Sequence, residues 1–208
     1  MLQGIAAVLD WFGIVVFATT GALVASRKEM DIFGFALLAT AAGIGGGTLR
    51  DVLLGQLPVF WVQQPAYLLV CVGVAAVLFF TAHIPQSRLT LVLWLDAIGL
   101  ALFAVTGAEK ALLAGAGPVV AVTMGVMTAT FGGIIRDILG GETPVILSRE
   151  IYVTAALLAA LVFVAALALG LTHPIALVSG FAAGLVLRAA ALTWGWSLPR
   201  YRSRPAKN

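Results

Sequence analysis

Apolar residues run along this chain in long blocks rather than in the narrow stripes of a soluble amphipathic helix. Segments 5–25, 32–54, 65–82, 91–113, 118–140, 150–170 and 174–195 are each near 20 predominantly apolar residues, the length that crosses about 30 Å of hydrocarbon. The pattern predicts an all-α integral membrane protein with seven transmembrane helices. The N-terminal MLQGIAAVLDWFG has no basic region and no small-residue cleavage site, so it is expected to be a first span, not a signal peptide.

Composition agrees. Hydrophobic residues make up 62% of the 208 and charged residues 10%, against roughly 25% charged in soluble domains. One cysteine, Cys71, excludes a disulfide framework. The net charge of +3 comes largely from residues 200–208, a tail too short to suggest nucleic-acid binding. With that tail on the cytoplasmic side, Arg27, Lys28, Arg88 and Arg149 fall in or beside cytoplasmic loops, and Lys110 alone falls near the other face. This asymmetry predicts N-terminus outside and C-terminus inside. Trp11 and Trp61 then mark the outer interface, and Trp94, Trp194 and Trp196 the inner one.

The chain repeats itself. Shifted by 86 residues, LDWFGIVVFATTGA (9–22) overlies LDAIGLALFAVTGA (95–108), and GGTLRDVLLGQLPV (46–59) overlies GGIIRDILGGETPV (132–145) without a gap. The chain divides into repeat 1 (1–86), repeat 2 (87–172), a seventh span (173–196) and a basic tail (197–208). Three spans per copy is an odd number, so the second copy lies inverted, an arrangement whose permeant site sits near the midplane between repeats. In the seventh span, Gly180 and Gly184 offer a small-xxx-small packing face.

The second and fifth spans carry the unusual chemistry. Glycine costs about 1 kcal/mol per site relative to alanine inside a helix. Gly43, Gly45, Gly46 and Gly47, repeated in part by Gly132 and Gly133, are therefore where these helices are expected to bend or unwind. An unwound helix in lipid needs a polar cavity to satisfy its backbone, and Thr48 is placed to cap the half-helix that follows. The same glycines also fit close helix packing, since Gly43 and Gly47 form a GxxxG pair.

Charge follows the glycines in both copies. Arg50 and Asp51 are neighbours, as are Arg136 and Asp137, and neighbours on a helix point about 100° apart, so each group is expected to seek another partner. Topology supplies Asp10 for the first pair and Asp96 for the second, giving one Arg–Asp–Asp cluster near each mouth of a path. A purely structural lock between helices explains such clusters as well. Pro58 and Pro144 are expected to terminate helices. Thr19, Thr20 and Thr106 either line the path or bond their own helix backbone. Lys110, beside Glu109, either snorkels or acts as a mobile gating charge, and Arg188 is close enough to the inner face to snorkel. His83 and His173 read as loop residues without metal-ligand spacing. No metal, cofactor or enzymatic motif is expected.

The doubled GG-x-x-RD motif, in GGGTLRDVLLG and GGIIRDILGGETPVIL, resembles the prokaryotic trimeric intracellular cation channel family, also classed as a putative glycine transporter family, over roughly residues 5–195. The resemblance implies an inverted three-plus-three repeat with a seventh helix, a homotrimer, and a pore inside each protomer lined by the kinked second and fifth helices. It implies a monovalent cation, chiefly potassium, as the permeant species, and membrane lipid as a partner. By the same resemblance Gly45, Gly46, Gly47, Gly132 and Gly133 are the kink residues, and Arg50, Asp51, Arg136 and Asp137 the charged ones. Animal members carry a Lys-Glu-Val motif in the second span that engages phosphoinositide; this chain has the glycine run there, so that expectation does not carry over. A carrier for a small zwitterion such as glycine fits inverted repeats with paired Arg and Asp groups too, and a scaffold held by its charges is the third reading.

Overall fold

The computed structural model describes residues 2–83, 87–148 and 150–199. Arg149, the junction at 84–86 and the basic tail from Arg200 onward lie outside the described residues. Among the described residues all regular structure is helical: α1 (Leu2–Arg27), α2 (Ile32–Leu53), α3 (Phe60–Gln63), α4 (Ala66–Thr81), α5 (Arg88–Leu113), α6 (Pro118–Leu139), a 3₁₀ turn (Val145–Leu147), α7 (Val153–Ala168) and α8 (His173–Trp194). Five of these, α1, α2, α5, α6 and α8, are long and apolar enough to cross a membrane. Two expected spans, 65–82 and 150–170, are filled by the sixteen-residue apolar helices α4 and α7. The short α3, which the hydropathy pattern does not mark, folds from the loop after α2.

Local chemistry places the helix ends. Asp31 Oδ1 accepts from Gly34 N (2.8 Å) to cap α2, and Ser87 Oγ caps α5 through Thr90 N. Pro118 and Pro174 sit in the first turns of α6 and α8, where a missing N–H is harmless. The helices α2 and α6 end at Leu53 and Leu139, ahead of Pro58 and Pro144, so the prolines do not terminate them. The chain leaves both helices through a glycine in the left-handed region, Gly55 (φ 67°) and Gly141 (φ 63°). These positions are 86 apart, and a side chain there would be strained. Pro58 and Pro144 instead precede the next short helical turns.

At the centre α1, α2, α5 and α6 pack on one another, with α4 against α1 and α2, and α7 and α8 against α5. Small residues let the backbones approach. A Cβ on Gly21 would lie 2.2 Å from Leu38 O, and one on Gly125 would lie 2.3 Å from Ala104 O. Gly180 and Gly184 seat α8 on Ala159 of α7, the role their spacing predicts. Large apolar side chains such as Phe33, Leu69, Val119 and Leu169 cover the exterior instead, as lipid contact requires.

Candidate functional site

Arg136 stands in the last turn of α6 and is 1% exposed. Its Nε and Nη2 reach Asp137 Oδ1 (2.9 and 2.8 Å), and its Nη1 donates to Asp96 Oδ1 on α5 (2.7 Å) and to Thr20 Oγ1 on α1 (2.9 Å). The second oxygen of Asp137 accepts from Val145 N beyond the helix end (3.2 Å). The expected Arg136–Asp96 contact forms. The expectation that sequence neighbours cannot pair is corrected: Cβ directions differ by about 100°, but the long arginine stem folds back over the final turn and brings its fork to the adjacent carboxylate. Tyr152, 2% exposed at the start of α7, closes the cluster, with its hydroxyl and Asp96 Oδ1 both facing the open side of Gly133.

At the opposite end of the bundle the same residues recur. Arg50 Nε and Nη2 donate to Asp51 Oδ1 (2.9 and 2.6 Å), and Asp51 Oδ2 accepts from Phe60 N (2.9 Å). The expected direct Arg50–Asp10 pair does not form. Asp10 is held instead by Lys110 Nζ, which α5 brings against α1. Lys110 therefore does not snorkel free. Thr106 Oγ1 is buried without a partner. Arg50 and Lys110 both lie against the Phe60 ring, 5.9 and 5.6 Å from its centroid.

A vestibule of about 290 Å³, lined by Arg50, Asp51, Gln56, Phe60, Gln63 and Lys110, opens at this end. Beneath it lies a cavity of about 10 Å³, bordered by Asp10, Gly43, Gly47, Arg50, Phe103 and Thr128, room for about one water. Between the two charge clusters Phe17 and Phe103 stack with centroids 5.2 Å apart and planes 2° from parallel. They are 86 residues apart. Each lies on the other copy's glycine: a Cβ on Gly13 would meet Phe103 at 2.5 Å, and one on Gly99 would meet Phe17 at 2.7 Å.

The helices do not unwind. Both α2 and α6 run unbroken through Gly43–Gly47 and Gly132–Gly133, because the glycines are used for contact. A Cβ on Gly46 would lie 2.1 Å from Thr128 O, and one on Gly132 would lie 2.5 Å from Ala42 O, so α2 and α6 touch backbone to backbone. Thr48 caps no half-helix: it donates to Ile44 O (2.7 Å) and accepts from Trp61 Nε1 (2.9 Å). Thr19 and Thr20 likewise donate to their own helix, at Val15 O and Phe17 O.

Two further pairs, each with one buried member, escaped sequence reasoning. His173 is no loop residue: it opens α8 and meets the buried Glu109 (2.7 Å). Arg188 is 1% exposed and does not snorkel; it donates to Glu150 (2.5 Å) and Ile151 O (3.3 Å) and lies over Tyr152. Both contacts join residues far apart in sequence, and no local pattern marks them. The Phe17–Phe103 stack was missed too, although D-x-x-G-x-x-x-F in both repeated segments marks the two residues as equivalent. Among the described residues no three His, Cys, Asp or Glu side chains gather as metal ligands would.

A family model described as glycine transporter matches residues 7–83 and again 93–168, its two starts separated by the same 86 residues. A UPF0126 membrane protein of Vibrio cholerae is 42% identical over 93% of this chain and 81% of its own length. The UPF0126 inner membrane protein YadS of Escherichia coli is 40% identical, covering 93% and 94%. Among solved structures, the trimeric intracellular cation channel orthologue from Rhodobacter sphaeroides superimposes with a TM-score of 0.91 at 64% identity, over 92% of this chain and 99% of that one. A prokaryotic channel of the same kind, solved in 0.5 M KCl, gives a TM-score of 0.87 at 32% identity, over 95% and 100%. These structural neighbours are channels and not enzymes. The chain belongs to this membrane-protein family, the prokaryotic trimeric intracellular cation channels that also carry the description glycine transporter.

Proposed function

We propose that the chain is a monovalent cation channel, chiefly for potassium, with a pore inside each protomer of a homotrimer. The observation that carries this reading is a line of buried charge through one four-helix interior: a vestibule ending on Arg50, Asp51, Lys110 and Asp10, then the aromatic stack, then Arg136, Asp96 and Asp137. Arginine in a cation path is an electrostatic obstacle unless offset. Here each guanidinium is bound to carboxylate, and four aspartates face three cationic side chains, leaving the line one charge negative. The trimeric neighbours support the assembly, and the doubled family match supports an inverted three-plus-three repeat in which α4 and α7 are the third span of each copy. In this reading the Arg50 end faces outward, the Arg136 end faces the cytoplasm of a bacterial inner membrane, and lipid covers the apolar exterior.

A vestibule stands at the Arg50 end, while Arg136, Asp96 and Tyr152 at the other are 1–2% exposed, an asymmetry that also suits a carrier for a small zwitterion such as glycine. Single-channel recording of the purified trimer in planar bilayers with glycine counterflow in matched liposomes separates the two. Unitary potassium currents support the channel; silent bilayers with saturable glycine exchange would establish the carrier.

A further inference from the structure

The two charge clusters occupy equivalent positions but are bonded differently. At the Arg136 end one guanidinium holds both aspartates and a threonine, Asp96, Asp137 and Thr20. The residues 86 positions away from these three are Asp10, Asp51 and Thr106, and all three are present. Arg50 nevertheless holds only Asp51. Thr106 Oγ1 is buried with no partner, 1% exposed, while Thr19, Thr20, Thr48, Thr128 and Thr130 each donate to a carbonyl of their own helix. An orphaned buried hydroxyl is costly and calls for a reason.

The difference traces to one residue. Lys110 takes Asp10, and the position 86 residues earlier is Val24, apolar and 1% exposed, which cannot compete with Arg136 for Asp96. We infer that Asp10 and Thr106 form a second seat for the Arg50 guanidinium, copied from the Arg136 cluster, and that Lys110 keeps Arg50 out of it. The seat is a latch. With the arginine in it, the cavity beside Asp10 and Gly47 is crossed by the guanidinium and the vestibule loses its floor opening, as at the Arg136 end, where Arg136 is buried among its partners. Lys110 has a way out, because its side chain is 30% exposed and lines the vestibule. Thr106 is thus a positioning residue of the outer gate. The Arg136 end, having no lysine, is the end that stays latched at rest.

The effect on currents rests on the channel reading, so the test has a structural arm as well. In Lys110→Met, a solved structure of the trimer should place Arg50 within hydrogen-bond distance of Asp10 and Thr106, and open probability in bilayers should fall severalfold. Adding Thr106→Val should restore much of that loss. The reverse transplant, Val24→Lys, should draw Asp96 off Arg136 and raise open probability. Arg50 remaining on Asp51 alone in Lys110→Met would overturn the latch whatever the currents do. A double variant as impaired as Lys110→Met would also overturn it. If wild type passes no unitary current, the channel reading fails separately, and the position of Arg50 in Lys110→Met still decides the latch.

Discussion

Gly45 and Gly46 are adjacent, equally poor helix formers, and their replacement separates hinge from contact. A Cβ at 46 would lie 2.1 Å from Thr128 O, a backbone atom of α6, where real contacts essentially never fall below 3.0 Å. An alanine at 46 therefore requires α2 and α6 to part by about 0.9 Å, the difference between those distances. A Cβ at 45 meets Ile135 Cδ1 at 2.9 Å, the free end of a flexible side chain that can turn away. Overpacking a close interface costs about 1–3 kcal/mol, while Gly→Ala returns about 1 kcal/mol of helix propensity. Because the atom met at 46 is backbone and cannot turn away, the cost there lies in the upper part of that range, about 2–3 kcal/mol, so Gly46→Ala should be destabilised by a net of about 1–2 kcal/mol, a fall in Tm of roughly 2–8 °C for a chain of this size. Gly45→Ala should be neutral or stabilised by up to about 1 kcal/mol. Thermal unfolding of the purified protein in one detergent reads both. Equal losses at the two positions would refute the contact account and return the glycines to a hinge role.

Other outcomes follow from the remaining ion pairs. Glu150→Ala takes the carboxylate from a guanidinium that is 1% exposed and keeps only Ile151 O and the Tyr152 ring, and should cost about 1–3 kcal/mol, whereas Arg188→Met should cost clearly less, because Glu150 is 40% exposed and can rehydrate; comparing the two melting temperatures tests this. His173→Ala leaves Glu109 buried without its partner and should cost about 1–3 kcal/mol, and a double-mutant cycle with Glu109→Gln should recover part of it, additivity being the contrary result. Asp51→Asn weakens both the Arg50 pair and the Phe60 N–H contact, so α3 and the vestibule should become more protease-sensitive than in Gln63→Ala, which limited proteolysis will show.

The helices and the duplication were legible because Asp, Arg and Pro are rare in so apolar a chain, and their recurrence at one offset stands out. The Arg136–Asp96 contact followed from topology alone. Two readings failed and one partner was missed, each for a physical reason. Propensity argued that Gly43–Gly47 would unwind, but packing against α6 outweighs the local penalty of glycine. Cβ geometry argued that Arg50 and Asp51 diverge, but arginine is long enough to turn back at a helix end. Lys110 was seen as a possible gating charge without its partner, since only the packing of α5 against α1 brings it to Asp10. The His173–Glu109 and Arg188–Glu150 pairs depend on where α8 docks, which hydropathy does not encode.

The central claim is that cations pass between the two charge clusters, through the place now filled by the Phe17–Phe103 stack. Unitary conductance of Phe103→Ala trimers, measured beside wild type and beside Val186→Ala on the exposed side of α8, tests it most directly. The account predicts a larger conductance in Phe103→Ala and an unchanged one in Val186→Ala; identical conductance in all three would place the path elsewhere.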